Sequence, residues 1–274
     1  MAQLVAVLQS QAALLPCLLD QLDARLGFSP APGQAMGVGY FENGKVLLRK
    51  RPVAPGGTSL AKLAGDVHSE VLVASVHSPG PAGYLEENTQ PHRFRAWLFA
   101  GAGRILPLGE RAHVLASLPE FLRRGVTGQS DAELAFLVTL SHVLEEARSL
   151  DLLALEPDVA ARALARTLTT LDARAEQVSA PRAETCAVVS NGRMLAAVRR
   201  GSPLYYRLVE GLQSCERCDL EAADAEPRAR AHRQARAVVL ATHPHAADRT
   251  WIEIPDRHLI TVSRSLALRL TPLG

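Results

Sequence analysis

Met1-Ala2-Gln3-Leu4-Val5-Ala6-Val7-Leu8 opens the chain. From Gln3 to Leu8 the run is short and apolar, which predicts a buried strand beginning almost at the first residue. Chain ends usually fray, so a core strand at this position asks for a reason. The small side chain at position 2 permits removal of Met1, which would leave Ala2 at the start of that strand.

Outward from this strand, Ala12 to Leu26 has the apolar spacing of a helix, broken by Gly27, Pro30, Pro32 and Gly33. Met36–Glu42 and Lys45–Lys50 flank Asn43-Gly44, and that dipeptide between apolar runs predicts a hairpin because its turn needs positive φ. Val71–Val76 reads as a strand, followed by a Gly/Pro-rich loop from Ser78 to Gly83. Ala96–Ala100 reads as another, with Gly101-Ala102-Gly103 expected to form a tight turn. Asp131–Leu150 is the clearest helix, with Ser130 placed to cap it and Glu133 in its first turn. A second helix is expected over Asp158–Gln177.

Strands then return at Thr185–Ser190, Met194–Arg199, Ala237–Ala241, Thr250–Ile254, His258–Val262 and Leu266–Leu270. Strands, two helices and strands again predict an α+β fold of two sheets with helices. Neither a low-complexity linker nor an internal repeat divides the sequence, so one domain over residues 1–274 is expected.

Composition narrows the function. Hydrophobic residues make up 47% and charged residues 21%, enough for a full core and against disorder. With 30 basic against 28 acidic residues the charge is too balanced to argue for nucleic acid. The densest basic run, Arg228 to Arg236, has no interleaved aromatic and is expected to be a solvated loop. The apolar patch from Ala12 to Leu19 lacks a basic leader and is too short for a bilayer, so no membrane segment is expected. Four cysteines in so long a chain make no disulfide framework, which fits a reducing, cytoplasmic setting.

Several segments in order resemble class II glutamine amidotransferases of the stand-alone bacterial type. The opening Met1-Ala2-Gln3-Leu4-Val5-Ala6 resembles that family's Met-Cys-Arg-Leu-Leu-Ala, and Gln34-Ala35-Met36-Gly37 its Asp-Gly-Trp-Gly. Ser75-Val76-His77-Ser78-Pro79 is similar to its His-Val-Arg-Ala-Thr strand end. Asn88-Thr89-Gln90-Pro91-His92 is similar to its Asn-Thr-His-Pro-Phe. Phe99-Ala100-Gly101-Ala102-Gly103-Arg104-Ile105 resembles its Phe-Ala-His-Asn-Gly-Thr-Ile. Ser130-Asp131-Ala132-Glu133, the stretch from Ser190 to Tyr206, Ala241-Thr242-His243-Pro244 and Trp251–Pro255 continue the likeness to the end.

The resemblance implies a four-layer αββα sandwich of the N-terminal-nucleophile hydrolase type, whose nucleophile begins the first strand. It also implies a reaction in which a thiolate attacks the glutamine amide, with its own α-amino group as base. An Asn side chain and a Gly amide hold the oxyanion, an Arg the glutamine carboxylate and an Asp its ammonium. Carried over, the nucleophile position is Ala2, whose methyl cannot attack a carbonyl. Ala102 replaces the Asn donor, a loss of about 3 kcal/mol in transition-state stabilisation. His77 replaces the Arg, and a neutral imidazole cannot make the bidentate fork. Gly101, Gly103, Asn88 and Asp131 complete the vestigial pocket, the last two with turn and helix-start roles that need no ligand.

Three defects together imply a pseudoenzyme, retained for a small amino-containing ligand or for assembly with a synthetase or transferase partner. The alternative is a hydrolase of amide bonds with an altered nucleophile, for which Ser75 and Ser78 flank His77. Adjacent strand residues point to opposite faces, which disfavours Ser78 with His77. No cofactor or metal is expected. Cys17 and Cys186 read as core residues, and Cys215-Glu216-Arg217-Cys218 as a reduced surface pair or a loop disulfide. Zinc there would need two more ligands, for which His232, His243 and His245 are the candidates. His68, His77 and His92 are expected around the pocket as polar lining.

Overall fold

A computed structural model describes residues 2–23, 25–80, 83–106, 109–150, 155–212, 214–221 and 226–274. Met1 and its removal, Ala24 of the first expected helix and two residues of the Ser78–Gly83 loop lie outside them. The first elements are β1 (Gln3–Gln9), α1 (Leu15–Leu22), β2 (Ala35–Glu42), β3 (Lys45–Pro52), α2 (Leu60–Ala64) and β4 (Val71–His77). There follow β5 (His92–Phe94), β6 (Trp97–Arg104), α3 (Arg111–Ser117), α4 (Glu120–Arg123), α5 (Asp131–Ala147) and α6 (Pro157–Gln177). The last third holds β7 (Glu184–Ser190), β8 (Leu195–Arg200), β9 (Tyr205–Glu210) and α7 (Pro227–Gln234). It ends with β10 (Arg236–Ala241), β11 (Ile252–Glu253), β12 (His258–Val262) and β13 (Leu268–Pro272).

The strands make two antiparallel sheets, ordered β11-β9-β10-β1-β4-β2-β3 and β13-β12-β8-β7-β6-β5. β1 lies inside the first, with Ala6 opposite Leu240 on one side and Val73 on the other. Its two faces enter different cores, as the period of two in a strand requires. Val5 and Val7 pack with Leu15, Leu19 and Leu60 of α1 and α2, while Leu4, Ala6 and Leu8 face Leu98, Ala100 and Val188 of the second sheet. A third core joins Trp97 and Phe99 of β6 to α5 and α6, where the Phe99 and Phe136 rings stack at 5.4 Å. Three apolar interfaces separate four layers, helix, sheet, sheet and helix, the arrangement of the expected α+β sandwich. Uninterrupted apolar character in β1 is the mark of burial on both sides.

Local chemistry sets the ends. Asn43 and Gly44 both have positive φ (50° and 74°) between β2 and β3, the backbone that their sequence predicts. α5 stops at Ala147 because Arg148 turns left-handed and donates its N–H to the Leu144 carbonyl at 2.8 Å. Asp172 of α6 receives a fork from Arg200 of β8 at 2.6 and 2.7 Å, tying the helix layer to its sheet.

Four expectations are corrected. Gly101-Ala102-Gly103 makes no tight turn but runs inside β6, paired with Ala187, Cys186 and Thr185. Ser130 stands at the start of α5 without capping it, because its hydroxyl is turned to His92 Nε2 at 3.2 Å. The Arg228–Arg236 run is not a loop; its first part is α7, with Pro227 in the opening turn and Ala229 and His232 buried. The Ser190–Tyr206 stretch splits, β7 and β8 lying in the second sheet and Tyr205-Tyr206 starting β9 in the first.

Candidate functional site

At the start of β1, Gln3 is opposite Val76 of β4, and the next step of that register sets Ala2 beside His77. The Ala2 side chain is half-buried and packs against the core between the sheets. Leu4 N–H donates to Thr242 Oγ1 at 3.0 Å, and Thr242 N–H returns to the Leu4 carbonyl at 3.1 Å, pinning the strand end.

His77 is fully engaged. Its Nδ1 bonds the Ser78 carbonyl at 3.0 Å and so must donate, while Nε2 accepts the Gln90 N–H at 3.2 Å. Those two bonds require one neutral tautomer. Burial favours the same state, pushing the imidazole below its usual range, with Lys50 adding to the effect. Gln90 carries the network on: its Nε2 donates to the Gly101 carbonyl at 3.0 Å and its Oε1 accepts the Gly101 N–H at 2.6 Å. Ala102 turns its methyl into the inter-sheet core, and its carbonyl is held by Thr185 Oγ1 at 2.8 Å. Gly103 has φ +98°, and a Cβ there would stand 2.2 Å from the Glu184 carbonyl oxygen, so local packing alone demands glycine.

Asn88 and Asp131 lie on the approach to α5. Asn88 Oδ1 accepts the Gln129 N–H at 2.6 Å, a loop-to-helix tie. Asp131 is exposed in the first turn of α5, yet desolvation at its carboxyl end pushes that group up, opposed by Arg111. Buried Glu133 accepts the N–H groups of Thr127 and Gly128 at 2.8 and 3.0 Å. His92 is buried and its pKa is pushed down to about 3, first by burial and then by Lys50, His77 and Arg111. Lys50, His92 and Glu133 line a cleft of about 320 Å³. The structure thus joins His77 and Gly101 through Gln90, a linker that the sequence did not single out, and the β1–β4 register sets Ala2 beside His77. Asn88 lies at a second place, bonded to Gln129 two residues before Asp131. His68 belongs to neither; it lines a separate cleft of about 560 Å³ with Phe41 and Asn191.

For an altered nucleophile the geometry is poor. Ser75 is fully buried, and its Oγ has no hydrogen-bond partner. Ser78 offers His77 its carbonyl, not its hydroxyl.

The cysteines are arranged otherwise than expected. Cys215 is buried rather than superficial, and Cys17 is a core residue as expected but also faces other ligand-bearing side chains. Cys17, Cys215, Cys218 and His232 present ligand atoms that all lie within 4.8 Å of one another. Of the histidines considered, only His232 joins them; His243 Nδ1 bonds Thr242 Oγ1 at 2.8 Å, and His245 Nδ1 accepts the Ala247 N–H at 3.3 Å. Cys186 is indeed core, fully buried between the sheets, and burial pushes its thiol up to about 12.

The profile of the family described as glutamine amidotransferases class-II matches residues 1–271. Among solved structures, a glutamine aminotransferase class-II domain protein from Silicibacter pomeroyi superposes with a TM-score of 0.62 at 17% identity, covering 99% of each chain. A predicted glutamine amidotransferase from Pseudomonas aeruginosa gives 0.58 at 16% identity, covering 96% of this chain and 97% of that one. The glutamine phosphoribosylpyrophosphate amidotransferase of B. subtilis gives 0.54 at 13% identity, with 99% of this chain against 49% of that one. No curated protein matches the sequence. Among the described residues no helix is long and apolar enough to cross a membrane.

Proposed function

The chain belongs to the class II glutamine amidotransferases, and on that premise we propose that it has given up glutamine hydrolysis and keeps the fold for ligand binding or partner assembly. One observation carries the reading: the position of the nucleophile holds a methyl group packed into the core beside a histidine whose two ring nitrogens are already bonded. A group that begins the reaction is missing, and the side chain in the place of the carboxylate anchor has no donor to spare. Ala102 cannot supply the second oxyanion donor. The functional unit fails when any member is absent, so three absences leave no route to turnover.

A retained role would use what remains. Asp131 is exposed, carries no hydrogen bond among the described residues and could meet a ligand ammonium. The B. subtilis relative is about twice as long as this chain. By analogy, a cytoplasmic synthetase or transferase could be the partner that this chain meets. Purified protein given glutamine is expected to release no glutamate above the buffer blank; measurable release overturns the proposal. Affinity capture with the wild-type chain and with Asp131→Ala would then separate partner assembly from ligand binding.

A further inference from the structure

We propose that Cys17, Cys215, Cys218 and His232 form a closed structural zinc site, independent of the amidotransferase pocket. Three elements supply the ligands: α1, near the start of the chain, and the loop after β9 and α7, which follow each other in its last third. Cys17 and Cys218 are separated by 201 positions, yet their sulfurs stand 3.6 Å apart. Zinc–sulfur bonds of about 2.3 Å in tetrahedral geometry put two sulfurs about 3.8 Å apart, whereas a disulfide holds them at about 2.05 Å. The observed separation, within reach of a thiol–thiol hydrogen bond, is too long for a disulfide and fits two ligands of one ion.

The loop is built to aim its pair. Cys215 and Leu220 bridge through hydrogen bonds of 2.9 and 3.1 Å, and Cys218 N–H returns to the Cys215 carbonyl at 3.1 Å. Asp219 takes a left-handed conformation (φ 53°) to close the turn. Both thiols of the Cys-x-x-Cys pair therefore meet Cys17 on one side.

His232 supplies the independent sign. It is 4% exposed, and its Nδ1 bonds the Arg228 carbonyl at 2.8 Å, which makes Nδ1 the protonated nitrogen. Nε2 is left as a buried lone pair with no partner, and the His232 ring presents a ligand atom within 4.8 Å of the three sulfurs. A buried acceptor without a donor costs about 1–3 kcal/mol, and a backbone carbonyl on the other nitrogen is the usual support of a metal-bound histidine. One divalent ion satisfies all four groups at once. Three thiol protons leave as it binds, giving a Cys3His centre of net charge −1. Soft sulfur ligands exclude magnesium and calcium, and four protein ligands leave no open position for catalysis.

The test uses untagged protein purified without chelator. Elemental analysis is expected to find about one zinc per chain, with Cys17→Ser and Cys218→Ser both losing it. Cys186→Ala, which alters a cysteine outside the cluster, should keep it. Should the serine variants fail to fold, titration of the wild type with an organomercurial is the second measurement. Zinc should be released as three thiols react, and cobalt(II) in its place should show the visible bands of a tetrahedral thiolate site. Reduced apoprotein that fails to take up one equivalent of added zinc overturns the proposal, as does an iron–sulfur chromophore in the isolated protein.

Discussion

The start of β1 and the cluster around Cys17 both gather polar side chains beside the first sheet, and they are finished in opposite ways. At the first, His77 spends both ring nitrogens within the chain, and Gln90 closes the circuit on both backbone groups of Gly101. At the second, His232 fixes one nitrogen and leaves the other bare among three thiols. A network that satisfies itself needs no ligand, whereas one that converges and stays unsatisfied asks for one. Residues that survive in a family-like pocket can therefore be scaffolding, while residues outside it mark chemistry. Ser75, buried with an unpartnered hydroxyl close to the first site, is the exception that tests the rule.

The largest effect should come from the metal. At zinc a thousandfold above its dissociation constant the folded state gains about 4 kcal/mol, so chelation should lower the Tm of the wild type by about 10 °C. Cys17→Ser should show no such response in the same melt. Next comes Gln90→Ala, which strands the Gly101 N–H and carbonyl in the core. Urea unfolding should report a loss of about 2–4 kcal/mol with no gain in glutaminase activity.

Restoring the pocket is expected to do less than the sequence motif suggests. Ala2→Cys alone should stay at background in a glutamate-release assay. Adding His77→Arg and Ala102→Asn should raise the rate about a hundredfold over that single variant, the worth of one oxyanion donor. A fast Ala2→Cys single variant would mean that the pocket is not closed at all.

Acid should weaken the fold through His92. Its folded pKa is held at about 3, below that of the unfolded ring, by burial first. As pH falls below the unfolded value the unfolded chain takes the proton first, so stability declines until the folded pKa is reached. His92→Asn should flatten that decline in metal-free protein, followed by denaturation midpoints between neutral and mildly acid pH. The smallest effect is expected at Ser75→Ala, neutral or stabilising by up to about 1 kcal/mol, because a buried hydroxyl without a partner is removed.

Much of the fold was legible in the residues. The uninterrupted apolar run of β1, Asn43-Gly44 and the long amphipathic stretches of α5 and α6 each carry a local signal that tertiary contacts only reinforce. Where local signals compete, the reading failed. Ser130 has the chemistry of a cap but meets a buried histidine from β5, and no local pattern announces that partner. Around α7, the charge density of Arg228–Arg236 masked Pro227, which opens the helix. The cysteine cluster was half visible in Cys215-x-x-Cys218. His232 already stood among the candidate ligands, whereas Cys17 on α1 read only as a core residue of a helix face. The alanine at the expected nucleophile position was legible, but the engagement of His77 depends on Gln90, whose role appears only when two sheets are stacked.

Leu4 and Thr242 hold each other across 238 positions of chain. At about 5–20 residues per second of ribosomal synthesis, the wait between them is on the order of 10–50 s. Until β10 emerges, one flank of an apolar strand stays unpaired on the nascent chain. The first sheet is thus finished late, and stickiness during translation, rather than weakness once folded, is the hazard that its central position creates.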